Sequence, residues 1–196
     1  MGINLALLMG HQLEARDLEA LGSRLASSTA MRRAAEHLWR VMRPRWRNLG
    51  PLEEFAAIVA DDHLDERQVE AAWDAGDTPS FAWAGFSLYI GRHAVEATHL
   101  EKLAGFVLDL DDLRDPLRTC GRALAIALGS PAVLYGPDSA SSFEMVSDGV
   151  REGRTLAELV HLAEVHCGPP ADDIRSMADE DEQLRLAQRC YVADEL

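Results

Sequence analysis

The chain reads as an α+β protein, with a small, mostly antiparallel sheet of three or four strands surrounded by about seven helices. Three observations carry that reading. Phe86-Ser87-Leu88-Tyr89-Ile90 alternates apolar and polar residues, the pattern of a strand with one buried face. Longer segments repeat apolar residues every three or four positions, as amphipathic helices do. Gly, Pro and Asp clusters separate these segments at short intervals, which favours compact connections.

In chain order, residues 3–9 form the first expected strand. Leu13 to Ala26 follows as a helix facing inward on Leu18, Leu21 and Leu25. Met31 to Arg43 is the next helix, with Ala35, Leu38, Trp39 and Met42, then Trp46, as its apolar stripe. Pro44 ends it, and Glu36 can pair with Arg40 one turn on. Leu52 to Ala60 reads as a short helix on Phe55, Ile58 and Val59. Asp65 and Gln68 have the spacing of a capping box, opening a helix that carries Val69, Ala72 and Trp73 and stops at Gly76.

The centre of the chain is a hairpin, with strands at 86–90 and 93–99 turning at Gly91-Arg92. Asp115-Pro116 suits a helix start, and Leu117, Cys120, Leu124, Ala127 and Leu128 form one stripe before Gly129 stops it. Residues 131–135 are too short and too closely bounded by Gly and Pro for a helix, so they read as a buried strand. Ser141 with Glu144 and Thr155 with Glu158 open two more helices, the second ended by Gly168-Pro169-Pro170. No repeat or linker divides the chain, so 1–196 reads as a single domain. Residues 172–196 form an acidic C-terminal appendage, with a last helix around Glu182 to Cys190.

Charge narrows the function classes. The net charge is −14, which disfavours nucleic acid and membrane surfaces and favours basic partners. Residues 31–47 run against this balance with six Arg and one Glu, while 51–77 hold nine acids and one Arg. No apolar run approaches a membrane span, and the first residues lack the basic start of a secretory signal. Three widely spaced cysteines do not make a disulfide scaffold, so a reducing, cytoplasmic setting is expected.

The motifs that suggest chemistry each fail a physical requirement. Asp111-Asp112-Leu113-Arg114-Asp115 spells the diphosphate-binding pattern of terpene synthases, but Pro116 disfavours helix at Asp115, and three carboxylates must share one helical face. Asp61, Asp62, His63, Asp65 and Glu66 cluster between two helices but lack the spacing and glycine of a calcium loop. His166-Cys167 are adjacent on a helix and diverge too far to form a nucleophile–base pair. Ser139 lacks the glycines of a nucleophile elbow, and no phosphate-loop lysine accompanies it. No catalytic residue, metal ligand or cofactor site is therefore assigned.

The acidic segments are left as the candidate partner-binding groups, namely Asp61, Asp62, Asp65 and Glu66 first, then Asp109, Asp111 and Asp112. In size, acidity and α+β architecture the whole chain resembles the bacterial immunity proteins of polymorphic and contact-delivered toxin systems. That resemblance implies a non-enzymatic protein that neutralises a basic toxin by direct binding through acidic residues. An alternative is a small enzyme or ligand-binding domain with its site at the loop after 131–135, built from His93, His99, Tyr135, Asp138 and Ser139. A third reading is an assembly subunit that self-associates through the Arg/Trp helix to form a homo-oligomer.

Overall fold

In the computed structural model, which describes residues 3–60, 65–138, 142–177 and 190–196, the fold is α+β. One seven-stranded, fully antiparallel sheet runs in the order β2-β3-β4-β5-β1-β6-β7. The strands are β1 (Asn4–Gly10), β2 (Val59–Ala60), β3 (Ser80–Trp83), β4 (Phe86–Ile90), β5 (Ala94–Lys102), β6 (Ala132–Pro137) and β7 (Val192–Glu195). Eight α-helices are seen among the described residues. They are α1 (Leu18–Ala26), α2 (Thr29–Met42), α3 (Leu52–Phe55), α4 (Glu66–Ala75), α5 (Leu103–Val107), α6 (Arg114–Leu128), α7 (Glu144–Arg151) and α8 (Leu156–Cys167).

Alternation along the strands divides the apolar residues between two layers. Leu5, Leu7 and Met9 of β1 join Phe86, Leu88 and Ile90 of β4 on one face, beneath α1, α2, α4, α5 and α6. Ala6 and Leu8 point the other way, with Leu134 of β6, beneath α7 and α8. A strand with both faces covered reads as a continuous apolar run, which is why Leu5 to Met9 shows no alternation in the sequence.

The sheet is larger than the three or four strands expected. The strands expected at 3–9, 86–90, 93–99 and 131–135 occur at Asn4–Gly10, Phe86–Ile90, Ala94–Lys102 and Ala132–Pro137. Three more join them. β3 did carry a signal, since Phe81 and Trp83 point inward at period two. β2 has only two residues, too few for any periodicity, and it lies where a helix was expected to continue to Ala60. β7 falls within the stretch taken for an acidic appendage. Its inward positions are Val192 and Asp194, and a charged inward residue hides the pattern.

Two local expectations also change. α6 begins at Arg114, so Asp115 and Pro116 are its second and third residues. Proline fits there because amides of the first turn have no intrahelical partner to lose. Ala35, Leu38 and Met42 of α2 are buried as expected, but Trp39 is only half-buried and Trp46 is exposed. Each indole N–H finds a partner there, Trp39 at Gly50 O (3.0 Å) and Trp46 at Glu101 Oε1 (3.1 Å). Arg43 stacks on Trp39 at 4.6 Å, and Arg40 pairs with Glu36. The helix expected at Glu182 to Cys190 lies outside the described residues, apart from Cys190.

Candidate functional site

The strand registers lay two rows of side chains across the face that carries α7 and α8. One row runs Val59–Ala82–Ser87–Thr98–Ala6–Gly136. The next runs Ser80–Tyr89–Glu96–Leu8–Leu134–Ala193. The first row is made almost entirely of small residues, so it forms a flat floor.

Cover over this floor stops part-way. α7 and α8 seat on β1, β6 and the start of β5, where glycines admit them. A Cβ at Gly136 would stand 2.6 Å from the Phe143 ring, and one at Gly91 would stand 2.3 Å from Val150 O. Beyond β5 the row opens to solvent. Thr98 and Ser87 are half-buried, Ala82 is exposed, and Val59 is 56% exposed. Leu100, 55% exposed, stands at the same edge. Glu54, Phe55 and Val59 wall a groove of about 240 Å³ with Ala82, Ser87 and Leu100. The Ala84 N–H donates to Phe55 O at 2.9 Å and fixes α3 to the β3–β4 turn. Glu53 and Glu54 are exposed on α3, giving an apolar floor with an acidic side.

Glu96 marks the border between the covered and open halves. Its side chain is buried in the second row, between Tyr89 and Leu8. Burial pushes its carboxyl pKa upward. The Arg151 charge and the Ser147 hydroxyl oppose that shift, while Asp138 and Asp148 add to it. Ser147 stands close enough to act on Glu96, but its own Oγ completes no hydrogen bond of good geometry among the described residues.

The acidic residues named from the sequence fall at opposite ends of the strands. Asp65 caps α4: its Oδ1 accepts the Gln68 N–H at 2.9 Å, and Gln68 Oε1 accepts the Asp65 N–H at 2.9 Å. Glu66 is exposed in the first turn. Helix α4 sits by the Ile90 end, where the Trp73 indole donates to Ile90 O and Arg92 pairs with Glu70 and Asp74. Asp109, Asp111 and Asp112 follow the far end of β5. Asp109 Oδ1 accepts the Arg114 N–H at 3.1 Å, and its left-handed backbone (φ 53°) is one Asp tolerates. Asp112 is exposed. Asp61 and Asp62 lie outside the described residues. Glu54, which does line the groove, and its exposed neighbour Glu53 were missed; two adjacent acids in the first turn of a short helix carry no signal beyond a favourable helix start.

The alternative ligand set does not come together. His99 is buried on the opposite face, beside Phe86 at 4.4 Å. Its Nδ1 accepts the Glu101 N–H at 3.0 Å, so the proton sits on Nε2, which faces Ala84 O at 3.3 Å. Burial pushes its pKa down to about 3. His11 uses the same arrangement, with Nδ1 accepting the Leu13 N–H and Nε2 facing Gly91 O. Tyr135 is also on the opposite face, stacked on Phe106 at 5.3 Å, and burial raises its pKa. Asp138 binds Asn4 through both carboxylate oxygens, at 2.8 Å each, extending the β1–β6 pairing. His93 is exposed in the β4–β5 turn at the other end of the strands. Ser139 lies outside the described residues.

Among the described residues no group of three or more His, Cys, Asp or Glu could hold a metal ion, and no helix is long and apolar enough to cross a membrane. Fold and site together define, among the described residues, a three-layer α+β protein in which the β2–β4 end of one sheet face carries no helix. No protein-family model, curated protein or solved structure gives a significant match to the chain.

Proposed function

We propose that the protein is a non-enzymatic binding module that docks a basic protein partner on the open half of its sheet. The observation that carries this reading is the row Val59–Ala82–Ser87–Thr98, exposed at one end and bordered by Glu54, with Glu53 exposed beside it on the same short helix. An apolar centre with a charged rim is the usual anatomy of a protein interface. A single-sign rim steers an oppositely charged partner and suppresses wrong ones. The net charge of −14 extends that steering beyond the groove. The buried histidines and Asp138 are engaged in holding the fold, which favours binding over catalysis. Within this class, an immunity-type protein that neutralises a cognate toxin fits the charge and architecture.

The test is affinity capture from the source organism at low salt, with bound proteins released by a salt ramp. Three immobilised forms are compared: wild type, Leu100→Glu, and a Glu53→Arg/Glu54→Arg double variant. The reading expects one basic protein to elute from wild type, to be lost from Leu100→Glu, and to elute at lower salt from the charge-reversed form. Equal retention of that protein by all three forms overturns the groove as its binding site. A partner of acidic character overturns the charge argument.

A further inference from the structure

We propose that Cys167 and Cys190 form a reversible dithiol–disulfide couple that staples α8 to the last strand of the sheet. Both are free thiols, both are buried, and both belong to the apolar cluster between α7–α8 and the sheet. Their side chains are near enough in that cluster for each thiol to influence the other's ionisation. The surrounding backbone holds them in place. The Ala171 N–H donates to Tyr191 O at 2.9 Å, the Gly168 N–H closes α8 on Glu164 O at 3.0 Å, and Tyr191 stacks on Phe143 at 5.9 Å. A bond between them would bring the two sulfurs to about 2.05 Å. Cys120 is separate, buried on the other face of the sheet with Leu117 and Leu124.

The oxidant is a low-molecular-weight disulfide of the glutathione class. One protein thiolate attacks it, forming a mixed disulfide and expelling one small thiol. The second protein thiolate then attacks the protein-side sulfur, forming the Cys167–Cys190 bond and releasing the second small thiol. The two protein thiols are oxidised, the small disulfide is reduced, and both protons leave on the two small thiols. Whichever thiol ionises first is the nucleophile, and the other resolves the mixed disulfide. Access comes from fraying of β7, which is paired only with β6 among the described strands. Oxidation closes a covalent loop from 167 to 190 and pins that edge strand.

Folded wild-type protein is incubated with oxidised glutathione, alkylated in denaturant, and examined by intact mass and peptide mapping. The expected product has lost two alkylatable thiols, yields a linked peptide containing Cys167 and Cys190, keeps Cys120 as a thiol, and reverts with dithiothreitol. Amide exchange along Val192–Glu195 slows in the oxidised form. Cys120→Ser gives the same linked peptide, and Cys190→Ser gives none. Glutathione retained as a mixed disulfide, a link to Cys120, or both thiols still alkylatable in excess oxidised glutathione would overturn the couple. Unchanged exchange along β7 in the linked protein would overturn the staple. If Cys190→Ser does not fold, the wild-type map decides.

Discussion

Nε of Arg118 lies 2.7 Å from Oδ2 of Asp194, and this ion pair fastens the final strand to α6. Asp194 is 4% exposed, and Arg122 Nε approaches the same Oδ2 at 3.4 Å. Burial alone would raise the Asp194 pKa; hydrogen-bonded Arg118 and the charge of Arg122 outweigh it and hold the pKa low. The pair therefore stabilises the fold above the unfolded carboxylate range, and that contribution is lost as pH falls through the lower folded value. Breaking a fully buried pair costs about 3–5 kcal/mol. Both arginines reach solvent here, so Asp194→Asn is expected to cost about 1–3 kcal/mol in urea unfolding. Arg122→Ala, half-exposed, should cost no more than about 1 kcal/mol. Equal losses from the two variants would assign the anchor wrongly.

His99 should make the protein acid-sensitive. Its folded pKa is about 3, against about 6.5 unfolded. A neutral buried imidazole contributes fully above the unfolded value, and its contribution drains away as pH falls from about 6.5 towards 3. Summed over that span the loss is about 3–5 kcal/mol. Urea midpoints between pH 7 and pH 4 should fall in wild type and flatten in His99→Gln. An unchanged slope in the variant would remove His99 as the cause.

Glu96 carries the opposite sign. Burial favours its protonated form, so its contribution is full below the unfolded carboxyl value and declines as pH rises through the higher folded one. Glu96→Gln is neutral at every pH. It should match wild type near pH 4 and exceed it in stability at pH 8. A variant weaker than wild type at pH 8 would mean the carboxylate is held by a charge partner.

The seat of α7 depends on Gly136. An alanine Cβ there would meet Phe143 Cδ1 at 2.6 Å, and Gly136→Ala should cost about 1–3 kcal/mol through overpacking. Phe143→Leu added to it should recover part of the loss, measured by the same urea titration. No recovery would place the strain elsewhere.

Asp65 offers a check on its structural use. Because both halves of its capping box are formed, Asp65→Ala should cost about 1 kcal/mol of stability by thermal unfolding. If the variant binds the captured basic partner normally, Asp65 acts through helix α4 alone.

Local signals fixed what depends on neighbours in the chain. The alternation from Phe86 to Ile90, the caps at Asp65 and Thr155, and the stops at Gly76 and Gly129 appear where the residues place them. Short strands with a charged or truncated pattern escaped, because β2 and β7 exist only through their partners β3 and β6. Asp194 points inward only because Arg118 and Arg122, some seventy residues earlier, supply its countercharge.

The candidate site was the least legible part. Acidity follows from composition alone. Which acids border an open surface does not, since Asp65 and Asp109 are drawn into backbone hydrogen bonds while Glu53 and Glu54 are left exposed. The row from Val59 to Gly136 joins five strand pairings, and where it is bare depends on where α7 comes to rest. Propensity and patterning act over a few residues and set the elements. Register and helix seating act across the whole chain, and only the tertiary structure decides which small residues end up as a covered core and which as an open floor.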